Sequence, residues 1–288
     1  MAARDGRVMR MYRCFLLACI AMLGVLSACQ EPGAERRTGE AVAKELQRRF
    51  DDTATDCGSR TSPAVDCSGV LLRGGPFVEG QHSWLPRPDQ TAGISFSWLR
   101  QDANFGTPAW FNGYIVIPAQ EARRLRLAPL TSMCIYVMNA ATSSEKEDRC
   151  RTRCDDPTIG ITTAAQFLER FEPGSWGCPF RGLARDGNDD VATAWMQPAE
   201  IRKAWRYFEW NEVIVAPWNT NVGDRMPLEA FFYLSNEQVS GLPDAKKDQL
   251  DFKDATGRWV PLILLTPAAS MDERATFRYI EADQAILD

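Results

Sequence analysis

Seven stretches of the chain concentrate β-branched and aromatic residues between Gly, Pro or Asn. They cover 69–73 (GVLLR), 93–98 (GISFSW), 113–117 (GYIVI), 133–138 (MCIYVM), 212–216 (EVIVA), 228–234 (LEAFFYL) and 259–265 (WVPLILL). Short bounded runs of this make-up predict β-strands. Apolar residues at helical spacing interrupt them. Val42, Leu46 and Phe50 recur at i, i+4 and i+8 and predict a first helix from Gly39 to Phe50. Thr162 or Thr163 is placed to cap a second, with Phe167, Leu168 and Phe171 on one face. Pro198 suits a helix first turn and precedes Ile201, Ala204, Trp205 and Phe208. Asp244, Asp248, Asp251 and Asp254 are interspersed with Lys246, Lys247 and Lys253, the pattern of a solvated helix or loop face rather than of a calcium loop. The polar segments 143–157 and 181–190 read as surface loops. Many short strands with helices inserted irregularly give an α+β class, with one globular domain over residues 39–288.

The N-terminus follows different rules. Arg4, Arg7, Arg10 and Arg13 stand against a single Asp5, an apolar run follows over 14–26, and Leu26-Ser27-Ala28-Cys29 comes next. This is the layout of an export signal, too short for a stable spanning helix. Its last four residues resemble the lipobox of bacterial lipoproteins. That resemblance implies cleavage after residue 28, acylation of Cys29 and a polar tether over 29–38. With Gln30 and Glu31 after the cut in place of aspartate, it also implies the outer membrane of the envelope. Acyl chains contribute roughly 0.8 kcal/mol per buried CH₂, so several on one cysteine make a stable anchor. Removing residues 1–28 takes away four arginines and one aspartate, which turns a net charge of −5 into −8. That balance argues against nucleic acid as a partner.

Beyond Cys14, Cys19 and Cys29, six cysteines remain. An even number in an exported chain reads as three disulfides, and pairing neighbours gives Cys57–Cys67, Cys134–Cys150 and Cys154–Cys178. Neither a Cys-x₂-Cys spacing nor nearby histidines support a metal site, so none is expected. His82 is the single histidine. The chain has no Gly-x-Ser-x-Gly elbow, no P-loop and no Gly-x-Gly-x-x-Gly turn, which removes the common hydrolase and nucleotide-fold signatures.

What remains is polar residues set into strand-like runs. Arg73 ends GVLLR, Ser95 and Ser97 share one face of GISFSW with Trp98 on the other, and Glu212 opens EVIVA. This order of arginine, Ser-x-Ser and glutamate resembles the R-S-E motif of ADP-ribosyltransferases of the cholera and pertussis toxin type. A wider set of segments is similar to the halovibrin family of secreted bacterial proteins: CGSRTSPAVDCSGVLLRG, GISFSWLRQD, GITTAAQFLERF, LEAFFYLS, GLPDAKKDQLDF and TGRWVPLILLTP. The resemblances imply a disulfide-stapled, ADP-ribosyltransferase-like antiparallel or mixed sheet with inserted helices and loops. They imply NAD as substrate, with no metal, and either water or an unidentified protein as acceptor. Glu212 and Ser95 would be catalytic, and Arg73, Ser97, Trp98 and His82 would bind the dinucleotide. Cleaving the nicotinamide–ribose bond builds positive charge on the ribose, which a nearby carboxylate stabilises. An arginine can grip the phosphates bidentately. One departure is Trp210, two residues before Glu212, where the toxin family carries Glu or Gln to engage a protein acceptor. The competing reading is a non-catalytic envelope lipoprotein that binds a protein or glycan, in which Arg73, Ser95 and Glu212 are ordinary sheet residues. The two readings separate on geometry, because the enzyme requires Arg73, Ser95 and Glu212 to converge on one cleft.

Overall fold

The computed structural model describes residues 38–87, 93–106, 108–139, 150, 165–166, 169, 180–181, 191–206, 208–218, 225–236 and 239–285. The expected export signal, most of the expected tether, the third expected disulfide, Cys154–Cys178, and most of the helix expected near 162–171 lie outside these residues. Among the described residues nine strands form one mixed sheet: β1 (Val70–Gly74), β2 (Ile94–Leu99), β3 (Asn112–Val116), β4 (Ser132–Tyr136), β5 (Phe180–Arg181), β6 (Glu212–Val215), β7 (Leu228–Tyr233), β8 (Leu262–Thr266) and β9 (Thr276–Tyr279). Their spatial order is β5-β4-β6-β2-β1-β3-β7-β8-β9. Every pair is antiparallel except β7 with β8, which run parallel and are joined by a helix. Among the described residues four α-helices accompany the sheet: α1 (Gly39–Asp51), α2 (Ala119–Arg124), α3 (Val191–Trp205) and α4 (Leu242–Thr256). Among the described residues no helix is long and apolar enough to cross a membrane.

Alternation along each strand divides the core into two layers. Val70, Leu72, Leu99, Ile115, Ala230, Phe232 and Ile263 point to one face, where Val42, Ala43, Leu46 and Phe50 of α1 cover them. Burying each large side chain there contributes roughly 1.5–3 kcal/mol. Thr38 starts α1 by accepting from the Ala41 amide at 3.2 Å, a cap that satisfies one of the helix's free N–H groups. The opposite face carries Leu71, Ile94, Phe96, Trp98, Tyr114, Val213, Phe231 and Leu262, packed under Trp84, Trp195, Met196, Ala199, Ala245 and Phe252. Those covering residues come from the β1–β2 loop, α3 and α4.

Two disulfides lie within the described residues, Cys57–Cys67 and Cys134–Cys150, both between sequence neighbours as expected. Several sequence expectations need correction. The helix expected to begin at Pro198 starts at Val191, so Pro198 lies inside α3. It forgoes one backbone bond there, and Trp195 and Ile201, both 1% exposed, hold the helix to the core on either side. The last expected strand starts at Leu262, not Trp259, because Pro261 has no N–H to give a ladder. The acidic segment 244–254 is a helix with a buried side: Asp248 and Gln249 are enclosed with Ala245 and Phe252, while Asp254 faces solvent.

Candidate functional site

The strand registers separate the residues that the R-S-E order would unite. Arg73 pairs with Tyr114, whose side chain belongs to the α3/α4 face, and its neighbour Leu72 belongs to the α1 face. Ser97 pairs with Leu72, Ser95 pairs with Ile214, and Glu212 pairs with Tyr136. Tyr136 and Ile214 pack together on the α1 side of the sheet. Directly paired residues share a face. Ser95, Ser97 and Glu212 therefore stand on one side of the sheet and Arg73 on the other. This corrects the expectation of a converging Arg73, Ser95 and Glu212. Glu212 is 3% exposed, at the start of a strand clamped to β2 by Asn211. That side chain accepts from the Trp98 amide and donates to the Trp98 carbonyl, both at 2.8 Å. Trp98 is also corrected. It is fully buried, its Nε1 donates to the Ser68 carbonyl at 2.9 Å, and Arg100 lies over its ring, so it belongs to the core.

The structure instead gathers a different set around Arg73. Pairing of β1 with β2 ends at Leu72 and Ser97. Beyond that point the Arg73 guanidinium donates to the Ser95 carbonyl at 2.7 Å, filling the gap where a strand amide would otherwise bond. The positive charge stands next to Tyr114, and Asp248 of α4 acts on the same phenol. Desolvation pushes the Tyr114 hydroxyl up to about 12, with Arg73 pulling it down and Asp248 adding to the rise. Asn112, buried at the start of β3, donates to Asp248 Oδ2 at 3.4 Å.

The β1–β2 loop completes the cluster. Trp84, 2% exposed, stacks edge-on against Phe252 of α4 with centroids 5.0 Å apart. The anchored indole fixes its two predecessors on the same helix. Ser83 meets the Asp248 carboxyl. His82 Nδ1 lies 2.8 Å from Asp251 Oδ2, and Trp84 Nε1 donates to that oxygen at 3.0 Å. Asp248 and Asp251 are three residues apart, so they share a helix face.

Burial is the leading influence on Asp248 and pushes its carboxyl from 3.8 up to about 7. The charges of Asp251 and Asp244 push the same way, while Ser83 and Asn112 favour the ionised form. Ser83 eases that ionisation without reaching full hydrogen-bond geometry. Ser83 Oγ, Tyr114 Oη and Asp248 Oδ1 are all buried without a hydrogen-bond partner among the described residues. Three unsatisfied polar atoms in one place are uncommon in a folded core, where such atoms are nearly always paired. The cluster reaches solvent through His82 and Asp251, whose side chains are 44% and 27% exposed, and through the half-buried Arg73. Among the described residues no group of three or more His, Cys, Asp or Glu is arranged to hold a metal ion.

Of the residues singled out in the sequence, Arg73 and His82 belong to this cluster. Asp248 and Asp251 were expected on a solvated face, and Asn112, Tyr114 and Ser83 do not stand out in the chain. The one available signal was that the two aspartates repeat at helical spacing, i and i+3, beside the buried apolar positions of the same helix. No protein-family model matches this chain, and no curated protein matches it.

Proposed function

We propose that this protein is an NAD-cleaving enzyme of the bacterial envelope; the separation of Arg73 from Glu212 across the sheet removes the R-S-E site as the basis of that reading, and the Arg73–Asp248–Asp251 cluster takes its place. One observation carries the reading. Segments distant in sequence bring a cation, two carboxylates and buried unsatisfied hydroxyls to one end of one sheet face. The resemblance of the segments around Arg73, Ser95 and Asp248 to halovibrins supplies the substrate. Arg73 binds the diphosphate, a role for which a guanidinium fork suits better than an ammonium. The Asp248 carboxylate opposes the positive charge that grows on the ribose as neutral nicotinamide leaves. Asp248 lies behind the surface and acts through its field. A carboxylate ~7 Å away in an effective dielectric of about 20 is worth roughly 2 kcal/mol, or ~30-fold in rate. The lipobox resemblance supplies the location, an outer-membrane lipoprotein acylated on Cys29.

The test is nicotinamide release from NAD by the full chain in detergent. Arg73→Ala is expected to raise KM and Asp248→Gln or Asp248→Asn to lower kcat, while Glu212→Gln retains activity. A well-folded wild type that releases no nicotinamide, with or without protein acceptors, would return the chain to the non-catalytic lipoprotein reading. Loss of activity in Glu212→Gln alone would restore the R-S-E site. The anchor is tested separately: Cys29→Ala should leave an unacylated chain by mass spectrometry, and an acyl mass that survives this change would refute it.

A further inference from the structure

His82 lies on a stretch of loop whose conformation is fixed from below. Its Nδ1 sits 2.8 and 3.0 Å from the two oxygens of Asp251. Trp84 donates to the same carboxylate, packs on Phe252 and lies with its ring 5.0 Å from the imidazole. An ionised carboxylate only accepts hydrogen bonds, so the contact puts a proton on Nδ1, and in the neutral imidazole this tautomer leaves the lone pair on Nε2. Nε2 has no partner among the described residues, and the side chain is 44% exposed. A base oriented by a carboxylate, which is itself held by a third group, is the arrangement that activates an attacking nucleophile on unrelated folds.

We propose that His82, oriented by Asp251 and Trp84, is the general base for the water that attacks the ribose. The inference rests on the NAD-cleaving reading and deepens it by naming the acceptor. The bond from ribose C1′ to the pyridinium nitrogen breaks, and its electron pair stays on the nitrogen, giving neutral nicotinamide. The water oxygen bonds to C1′, one water proton passes to His82 Nε2, and from there it goes to solvent. The products are nicotinamide, ADP-ribose and one proton, so the enzyme is a hydrolase. Asp251 and Trp84 are positioning residues in this scheme.

The experiment compares wild type, His82→Ala, His82→Gln and Asp251→Asn, each as the full chain in detergent, and measures nicotinamide and ADP-ribose from NAD. General-base catalysis contributes ~100-fold or more. His82→Ala and His82→Gln are therefore expected to lose about that much in kcat with KM little changed. Added imidazole is expected to restore His82→Ala in proportion to its free base. Asp251→Asn should lower kcat ~10-fold and respond weakly to imidazole, because its own histidine still occupies the place. Wild-type rates in His82→Ala, or a folded His82→Ala that imidazole does not restore, would overturn the proposal while leaving NAD cleavage standing. A wild type that releases no nicotinamide removes the underlying reading instead.

Discussion

Replacing Asp248 with asparagine should make the protein more stable and, on the proposed reading, slow its cleavage of NAD. Its carboxyl is fully buried, and burial moves its ionisation from 3.8 to about 7. The folded protein therefore holds this proton over a range in which the unfolded chain has lost it. Stability from this group is complete below the unfolded value of 3.8 and is lost as pH rises through about 7. A tenfold change in acidity corresponds to about 1.4 kcal/mol, so the loss reaches about 4 kcal/mol at most by pH 8. Asparagine keeps the shape and can accept from Asn112, and its amide can serve the unbonded Ser83 and Tyr114 oxygens. Asp248→Asn carries no such penalty. Thermal melts from pH 4 to pH 8 should show wild type and variant converging at the acid end. At the alkaline end the variant should melt roughly 10 °C higher, given ~2–4 °C per kcal/mol for a domain of this size. On the proposed reading the wild-type cleavage rate should gain an extra rise through about pH 7 as the Asp248 carboxylate forms, and the variant should keep only the rise that belongs to the His82 base. A variant that is less stable at pH 8, or a difference that does not change with pH, would refute the argument that burial of this charge is the dominant cost.

Three further outcomes concern the scaffold. Arg49 of α1 and Glu229 of β7 form an ion pair with both side chains buried. Arg49→Met should cost about 3–5 kcal/mol by urea titration because it strands the other charge, and Arg49→Met with Glu229→Leu should recover most of that. An equal loss in the double variant would mean that packing, not charge, is at stake. Gly69 has φ of +68°, and a Cβ there would sit 2.2 Å from the Trp98 indole nitrogen. Gly69→Ala should cost about 3 kcal/mol from backbone strain and overpacking together, and a loss under 1 kcal/mol would contradict that account. Removing the Cys57–Cys67 bridge, which closes a separation of 10 residues, should cost about 3 kcal/mol by chain entropy; unchanged melting after the double serine substitution would argue against it.

Much of the scaffold was legible in the chain because it depends on local pattern. The first helix, seven strand positions and two of the neighbouring disulfides follow from periodicity, turn residues and cysteine spacing. The less visible elements were those whose local signal is weak: the four residues of β9 at the sheet edge, the two of β5, and α4, whose lysines and aspartates disguise a buried side. The site was read less well, for a physical reason. Strand order and register decide which residues meet, and neither is encoded within any one segment. Alternation within β2 correctly sets Ser95 and Ser97 opposite Trp98. Only the pairing of β1 with β3, and of β2 with β6, reveals that Arg73 and Glu212 face opposite ways. Likewise, the chain alone shows a lone His-Ser-Trp in a loop and two aspartates on a helix. The sequence by itself determined seven strands, the first helix and two cross-links, all properties of contiguous residues. Only the tertiary structure decided that Trp84 would dock on Phe252 and so set His82 against Asp251 and Ser83 against Asp248, because contacts across about 170 residues of chain arise from packing.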